Sequence, residues 1–154
     1  MKGDIQALFY ELIQQSAISN ASLMGCTDKE IEFIAQHFGC ELPPAYHEFL
    51  TIAGKGAGKL FQGTDIFYPR VLQLQMEAKE LLAELDQSVL LPTNGKVFCM
   101  HQGYEINYFV PGYDDPPVFQ FFEGQDSVTQ PWPSLSAFIK SSIEDHLRQW
   151  KNLD

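Results

Sequence analysis

The first half of the chain repeats its apolar residues with the period of an α-helix. From Asp4 to about Gln15 they recur every three or four positions, which predicts an amphipathic helix. A second helix is predicted to begin after Thr27, because Thr27 with Glu30 has the spacing of a capping box. It is predicted to end at Gly39, since glycine suits the left-handed position that closes a helix.

A rigid joint follows at Leu42-Pro43-Pro44 and leads into a third helix, predicted from Pro44 to Ala53. The joint holds two amphipathic helices at one angle, and it carries no nucleophile, base or metal cluster. It therefore predicts a scaffold rather than a reaction centre. Apolar residues of the two helices are expected to meet in the core: Ile34, Phe38, Phe49 and Leu50.

The second half of the chain changes to the pattern of β-strands. Three short β-rich runs, 96–101, 104–110 and 118–123, predict an antiparallel meander, with a tight turn at Gln102-Gly103. Along the middle run the residues alternate as in a strand that is buried on one side only. Outside the meander we expect a short strand near 60–62 or 66–68, a fourth helix over 71–85 and a last helix capped by Ser134.

These elements define the expected fold class. Helices precede a meander that a final helix covers, so the class is α+β, with a central antiparallel sheet drawn from residues 96–123. At 154 residues and 45% hydrophobic content, the chain is long enough for one domain with a substantial core. We therefore expect a single domain over residues 1–154.

Hydropathy and cysteine content indicate in which cellular compartment the protein is expected. No apolar run approaches the roughly 18 residues of a membrane span, and the first residues lack the apolar core of a signal peptide. The three cysteines, Cys26, Cys40 and Cys99, are widely spaced and form no CxxC pair. Reduced thiols in a soluble cytoplasmic protein are the favoured interpretation, although one pair could form a disulfide.

The distribution of charge suggests what the partner is. The net charge is −10, and no Lys or Arg occurs between Lys96 and Lys140. Such a surface repels nucleic acid and attracts a basic protein, while the competing interpretation is an ordinary solubilising surface. If the stretch binds a protein, its acids and aromatics are the expected contacts: Glu105, Tyr113, Asp114, Asp115, Glu123, Asp126 and Trp132.

A survey of candidate chemistry yields no catalytic constellation. The glycine-rich segment 54–59 follows a helix and lacks the Ser or Thr of a phosphate-binding loop. Cys99 and His101 share a strand face, but a Cys among apolar residues is usually inert. Asp114 and Asp115 could bind a divalent cation, yet hydrogen bonding to turn amides is favoured. We expect no metal, cofactor or nucleotide.

The motifs resemble those of a known family. Leu42-Pro43-Pro44-Ala45-Tyr46-His47-Glu48-Phe49-Leu50 is similar to the LPxxYxxFL helix joint of the SUKH superfamily, named for the yeast Smi and Knr cell-wall regulators. The similarity continues in order through Leu91-Pro92, 97–109 and 115–119 to the closing helix at 135–139. It covers roughly residues 20–145.

The resemblance implies an α+β domain and a binding role. In bacteria it implies a non-enzymatic immunity protein that neutralises a polymorphic toxin, often a nuclease. In fungi it implies a regulatory interaction scaffold, which is the rival interpretation here. A small-molecule-binding domain or hydrolase is a third possibility, favoured if Cys99 or His101 lines a deep pocket. The sequence leaves the oligomeric state open.

Overall fold

The structure is a computed structural model that describes residues 3–152, with side chains over residues 3–149. Five α-helices are present in this range: α1 (Asp4–Gln14), α2 (Asp28–Phe38), α3 (Pro44–Ala53), α4 (Leu74–Glu84) and α5 (Leu135–Asn152). The strands are β1 (Leu23–Met24), β2 (Gly56–Ala57), β3 (Thr64–Asp65), β4 (Lys96–His101), β5 (Glu105–Phe109), β6 (Val118–Phe122) and β7 (Thr129–Trp132).

The residues predicted to begin and end the helices do so in the structure. The Thr27 hydroxyl accepts from the Glu30 amide while the Glu30 carboxylate accepts from the Thr27 amide, so the capping box of α2 is complete. Gly39 ends α2 with φ at 69°, and Pro44 occupies the first turn of α3. At the start of α5, the Ser134 hydroxyl accepts from the Ala137 amide. Local chemistry therefore sets the ends of these helices.

The main sheet has five antiparallel strands in the order β3-β4-β5-β6-β7, and β1 and β2 form a separate pair. The predicted meander of residues 96–123 is confirmed as β4, β5 and β6. The prediction of a strand at 60–62 or 66–68 is wrong, since β3 lies between them. Leu60 and Ile66 are 2% and 1% exposed, so their apolar pattern reflects burial from turns rather than strand structure.

The two faces of the sheet are both covered by helices. On one face Phe98 and Phe109 pack against Tyr46 of α3, with ring centroids 6.1 and 5.4 Å away, and α5 adds Phe138 beside Phe98. The other face of the middle strand is buried at Ile106 and Tyr108, and α4 packs along β4, where the Gln75 side chain accepts from the Val97 amide. The class is therefore α+β, as predicted.

Burial of β5 on both sides corrects one expectation. The alternation along this strand predicts one buried face and one solvent-exposed face. Asn107, on the face expected to be exposed, is instead fully buried. Buried polar side chains are retained where they are hydrogen-bonded. Asn107 meets this condition through Glu105 and Gln120, so its polarity does not mark an exposed face.

The predicted core of the helix joint is confirmed. Ile34, Phe38, Phe49 and Leu50 are all buried, and the Phe38 ring stacks on Tyr46 at 5.9 Å across the joint.

No helix within the described residues combines the length and apolar character that a membrane span requires.

Candidate partner-binding site

The seven predicted contact residues fall at opposite ends of the sheet. Successive strands of the meander run in opposite directions, so the β4–β5 turn and the β6–β7 loop share one end, with Glu105, Glu123 and Asp126. The β5–β6 loop lies at the other end, with Tyr113, Asp114 and Asp115, and Trp132 closes β7 there. At about 3.4 Å per residue, a five-residue strand separates the ends by about 14 Å. The seven residues therefore do not form one patch.

At the β5–β6 end, two of the four predicted residues serve the fold. The Asp115 carboxylate accepts from the Ser136 amide at 2.9 Å, which caps the N-terminus of α5. The Trp132 ring packs edge-on against Phe138 at 4.9 Å. Tyr113 and Asp114 remain exposed, and the Asp114 carbonyl accepts from the amide of Ala45 in α3. Of the four, Tyr113 and Asp114 are therefore the exposed side chains, while Asp115 and Trp132 are partly buried.

At the opposite end, we define the acidic sheet end as Tyr104, Glu105, Phe122, Glu123 and Asp126. Glu123 and Asp126 are exposed, and within residues 3–152 neither carboxylate has a hydrogen bond or salt bridge. Tyr104 is 38% exposed and stacks on Phe122 at 6.4 Å. An aromatic pair beside unpaired carboxylates has the composition of a protein interface.

Glu105 is only partly available, because it belongs to a polar network on the sheet. The Asn107 side chain donates to the Glu105 carboxylate at 2.8 Å, and the Gln120 side chain donates to Asn107 at 3.0 Å. Across the strand pair Glu105 faces His101, whose Nδ1 lies 2.8 Å from the Thr64 hydroxyl. Through Asn107 and Gln120, the hydrogen bonds of Glu105 join β5 to β6, so Glu105 stabilises the sheet end as well as adding charge to it.

Beside this end lies a cleft of about 470 Å³ between α5, the 59–64 segment and the end of β4. Leu60 and Phe61 line it together with polar residues: Lys59, Gln62, Thr64, His101, Ser142, Asp145, His146 and Gln149. The Ser142 hydroxyl donates to the Phe138 carbonyl at 3.0 Å and so is not activated by a histidine. Asp145 forms a salt bridge with Arg148. Within the described lining, the one hydroxyl hydrogen-bonded to a histidine is that of Thr64, 2.8 Å from the Nδ1 of His101.

The three cysteines are poorly suited to act as thiolate nucleophiles. Burial raises the pKa of Cys26 to about 11, raises that of Cys40, and raises that of Cys99 well above its usual value. Cys99 is 1% exposed and hydrogen-bonds to the Asn107 side chain, while the His101 ring is hydrogen-bonded to the Thr64 hydroxyl. A nucleophilic cysteine needs a lowered pKa and access. Over the described part of the chain, no group of three or more His, Cys, Asp or Glu could hold a metal ion.

Sequence reasoning missed Tyr104 and Phe122 as surface aromatics. The alternation along residues 104–110 places Tyr104 with the inward residues Ile106 and Tyr108. In the structure Tyr104 belongs to the turn before β5, where the strand alternation no longer applies. Its position directly after Gly103 was the available signal, because a glycine turn brings its neighbours to the surface.

An α+β domain with helices flanking the sheet and unpaired surface carboxylates has the features of a protein-binding module. A search of protein-family models matches residues 25–141 to the SMI1 / KNR4 family (SUKH-1). The chain therefore belongs to the SMI1/KNR4 family, and the sequence resemblance is confirmed. The match begins ahead of α2 and ends within α5. A search of curated proteins finds no match.

Proposed function

We propose that this chain is a non-enzymatic immunity protein, which binds and neutralises a cognate toxin domain by direct contact. The observation that carries the proposal is the acidic sheet end. There the carboxylates of Glu123 and Asp126 are exposed and unpaired within the described residues, beside the stacked pair Tyr104 and Phe122. Membership of the SMI1/KNR4 family supports a protein-interaction role.

A nuclease is the toxin class that best fits the charge. Nuclease clefts are basic because they hold phosphates, so a surface of carboxylates can take the place of the nucleic acid. With a net charge of −10, the chain attracts such a cleft over a distance and speeds association. Aromatic residues then provide the close packing that slows dissociation, and Tyr104 is the best-placed anchor.

This mechanism needs no catalytic group in the chain. The chain neutralises the toxin by occupying the toxin's own cleft. Burial raises the pKa of each of the three thiols, so each stays protonated. A toxin that attacks nucleic acid acts in the cytoplasm, so an immunity protein against it works there too.

The test begins with identifying the partner. Copurification from the native host, with inspection of the neighbouring genes for a large secreted toxin, supplies the toxin domain. Co-expression with this chain is expected to restore growth of cells that produce the toxin. If no toxin gene is adjacent and the copurified protein is a cellular regulator, the immunity proposal is wrong and the scaffold role replaces it.

Stopped-flow association then tests the surface. The double variant Glu123→Lys/Asp126→Lys is expected to slow association roughly tenfold or more at low salt, because steering contributes factors of this size. The control is Glu80→Lys/Glu84→Lys on the exposed side of α4, which changes the net charge equally. Rising salt should slow association of the native chain and leave dissociation nearly unchanged. Equal effects of the two double variants would mean that net charge, and not the sheet end, guides the partner.

A further inference from the structure

A groove of about 930 Å³ lies between the outer faces of α2 and α3, and none of its lining residues belongs to the sheet. On α2 it is lined by Asp28, Ile31, Glu32 and Ala35, a spacing that places all four on one helix face. Leu42 of the joint and Ile52 of α3 complete an apolar floor. The groove is therefore formed mainly by α2 and α3, with Gly3 and Gln6 at the start of α1 also in its lining.

The walls of the groove are held in place by the fold. The Glu48 carboxylate of α3 accepts from the amides of Gly3 and Gln6, both at 2.7 Å, and so fixes the start of α1 against α3. At the other end, Gly39 and Pro44 fix the angle between α2 and α3. A preformed groove binds with a smaller loss of conformational entropy than one that must be ordered first.

Exposed carboxylates lie on the rim of the groove. Asp28, Glu32 and Glu41 are exposed, and among residues 3–152 none of these carboxylates has a hydrogen bond or a salt bridge. None of the described lining residues is a Lys or Arg. Among them His47 has the one basic side chain, and its Nδ1 lies 3.5 Å from the Thr51 hydroxyl. An apolar floor thus lies beside unpaired carboxylates on the α2 side of the groove and next to the joint.

We infer that this groove binds a basic amphipathic helix of the protein partner. An amphipathic helix docks by laying its apolar side chains into a groove of this kind, as they would contact Ile31, Ala35 and Ile52 here. Lys and Arg along the flanks of that helix would meet the carboxylates of Asp28, Glu32 and Glu41. The inference rests on the proposed function in one respect, that the partner is a protein, and it adds a second contact to the acidic sheet end.

The charge of the groove disfavours the other occupants. A second copy of this chain, related by a two-fold axis, would bring the acidic rim against itself. Like charges that face each other across an interface oppose association. Nucleic acid is repelled for the same reason. A basic helix is the occupant whose charge and shape both match.

The experiment measures binding of the full chain to three labelled peptides by fluorescence anisotropy, with amide NMR shifts to locate the site. The probe is an amphipathic helix of Leu and Lys, roughly 18 residues long so that it forms a stable helix. One control peptide replaces Lys by Glu, and another scrambles the Leu/Lys order so that no apolar face forms. Ala35→Trp fills the floor and Glu32→Lys reverses one rim charge. The matched controls are Ala83→Trp and Glu80→Lys on α4.

The Leu/Lys helix is expected to bind, and both groove variants are expected to weaken it roughly tenfold, while the α4 controls change it less than about twofold. Shifted amides should cluster at residues 28–35 and 41–52. Equal binding of the Glu peptide or the scrambled peptide would overturn the inference. So would shifts confined to Glu123 and Asp126, or self-association that Ala35→Trp abolishes.

The same variants separate this inference from the proposed function. If the groove variants still neutralise the toxin and leave the peptide affinity unchanged, while Glu123→Lys/Asp126→Lys abolishes neutralisation, the groove inference fails and the proposed function stands. If the peptide binds in the groove and no toxin is neutralised, the proposed function fails and the groove inference stands.

Discussion

Removal of the Tyr46 hydroxyl is expected to stabilise the protein, although Tyr46 lies in the helix-joint motif. The side chain is fully buried, with its ring 5.9 Å from Phe38 and 5.4 Å from Phe109. Within the described residues, its hydroxyl has no hydrogen-bond partner. Burial raises the Tyr46 pKa far above its ordinary value, and the neighbouring thiols of Cys26 and Cys99 raise it further. The aromatic ring therefore stabilises the core, while its hydroxyl opposes folding.

The magnitude follows from two opposing terms. A buried hydroxyl without a partner costs about 1–3 kcal/mol. Its removal leaves the space of one oxygen atom, on the order of 10 Å³, and a cavity costs about 24 cal/mol per Å³, so this term is a few tenths of a kcal/mol. Tyr46→Phe should therefore raise the free energy of unfolding by about 1–2 kcal/mol.

Urea unfolding monitored by circular dichroism measures the difference, with the slope of the transition checked for constancy. The control is Tyr108→Phe, since Tyr108 is 5% exposed, stacks on Phe119 at 5.2 Å and does not hold a buried unpartnered hydroxyl. Tyr108→Phe is expected to change the free energy of unfolding by no more than about 0.5 kcal/mol. If Tyr46→Phe instead lowers stability by about 1 kcal/mol or more, the hydroxyl has a partner, and the reasoning is refuted.

Three further predictions concern stability. Phe49→Ala should cost about 3–5 kcal/mol in urea unfolding, because Phe49 is 1% exposed; a loss under about 1 kcal/mol would contradict its place in the core. Asp115→Ala should cost about 1–2 kcal/mol through the lost cap on α5, while the exposed neighbour substitution Asp114→Ala stays within about 0.5 kcal/mol. Burial lowers the pKa of His146, so the unfolded chain binds a proton before the folded one. Stability should therefore fall as pH drops below about 6.5, and a pH series on His146→Asn should show a shallower fall.

Features set by neighbouring residues were predictable from the sequence. The capping box of Thr27 and Glu30, the left-handed Gly39 and the first-turn Pro44 act within a few positions of themselves. The tight turn at Gln102-Gly103 is also local, and both residues have positive φ. Such features depend little on the rest of the fold, so reading them needs no tertiary information.

Features set by tertiary structure were not predictable in the same way. Strand β7 contains Pro131, which argues against a strand in sequence terms, but β7 is the edge of the sheet, where a missing amide is tolerated. The burial of Asn107 depends on partners that lie two and thirteen residues away. The residues predicted to contact a partner are split because a meander sends consecutive turns to opposite ends of the sheet, although the sequence presents them as one stretch.

The placement of charge matters more for recognition than its amount. The first 60 residues contain four Lys and seven Asp or Glu, a smaller excess of acid than the rest of the chain. Yet Asp28 and Glu32 of α2 and Glu41 before the joint all line one groove, whereas Lys55 is paired with Glu30 outside the groove lining. A local field depends on which charges converge and which are neutralised by neighbours. The smaller excess thus produces a concentrated acidic rim, while the stretch without a base between Lys96 and Lys140 is divided between two ends of the sheet.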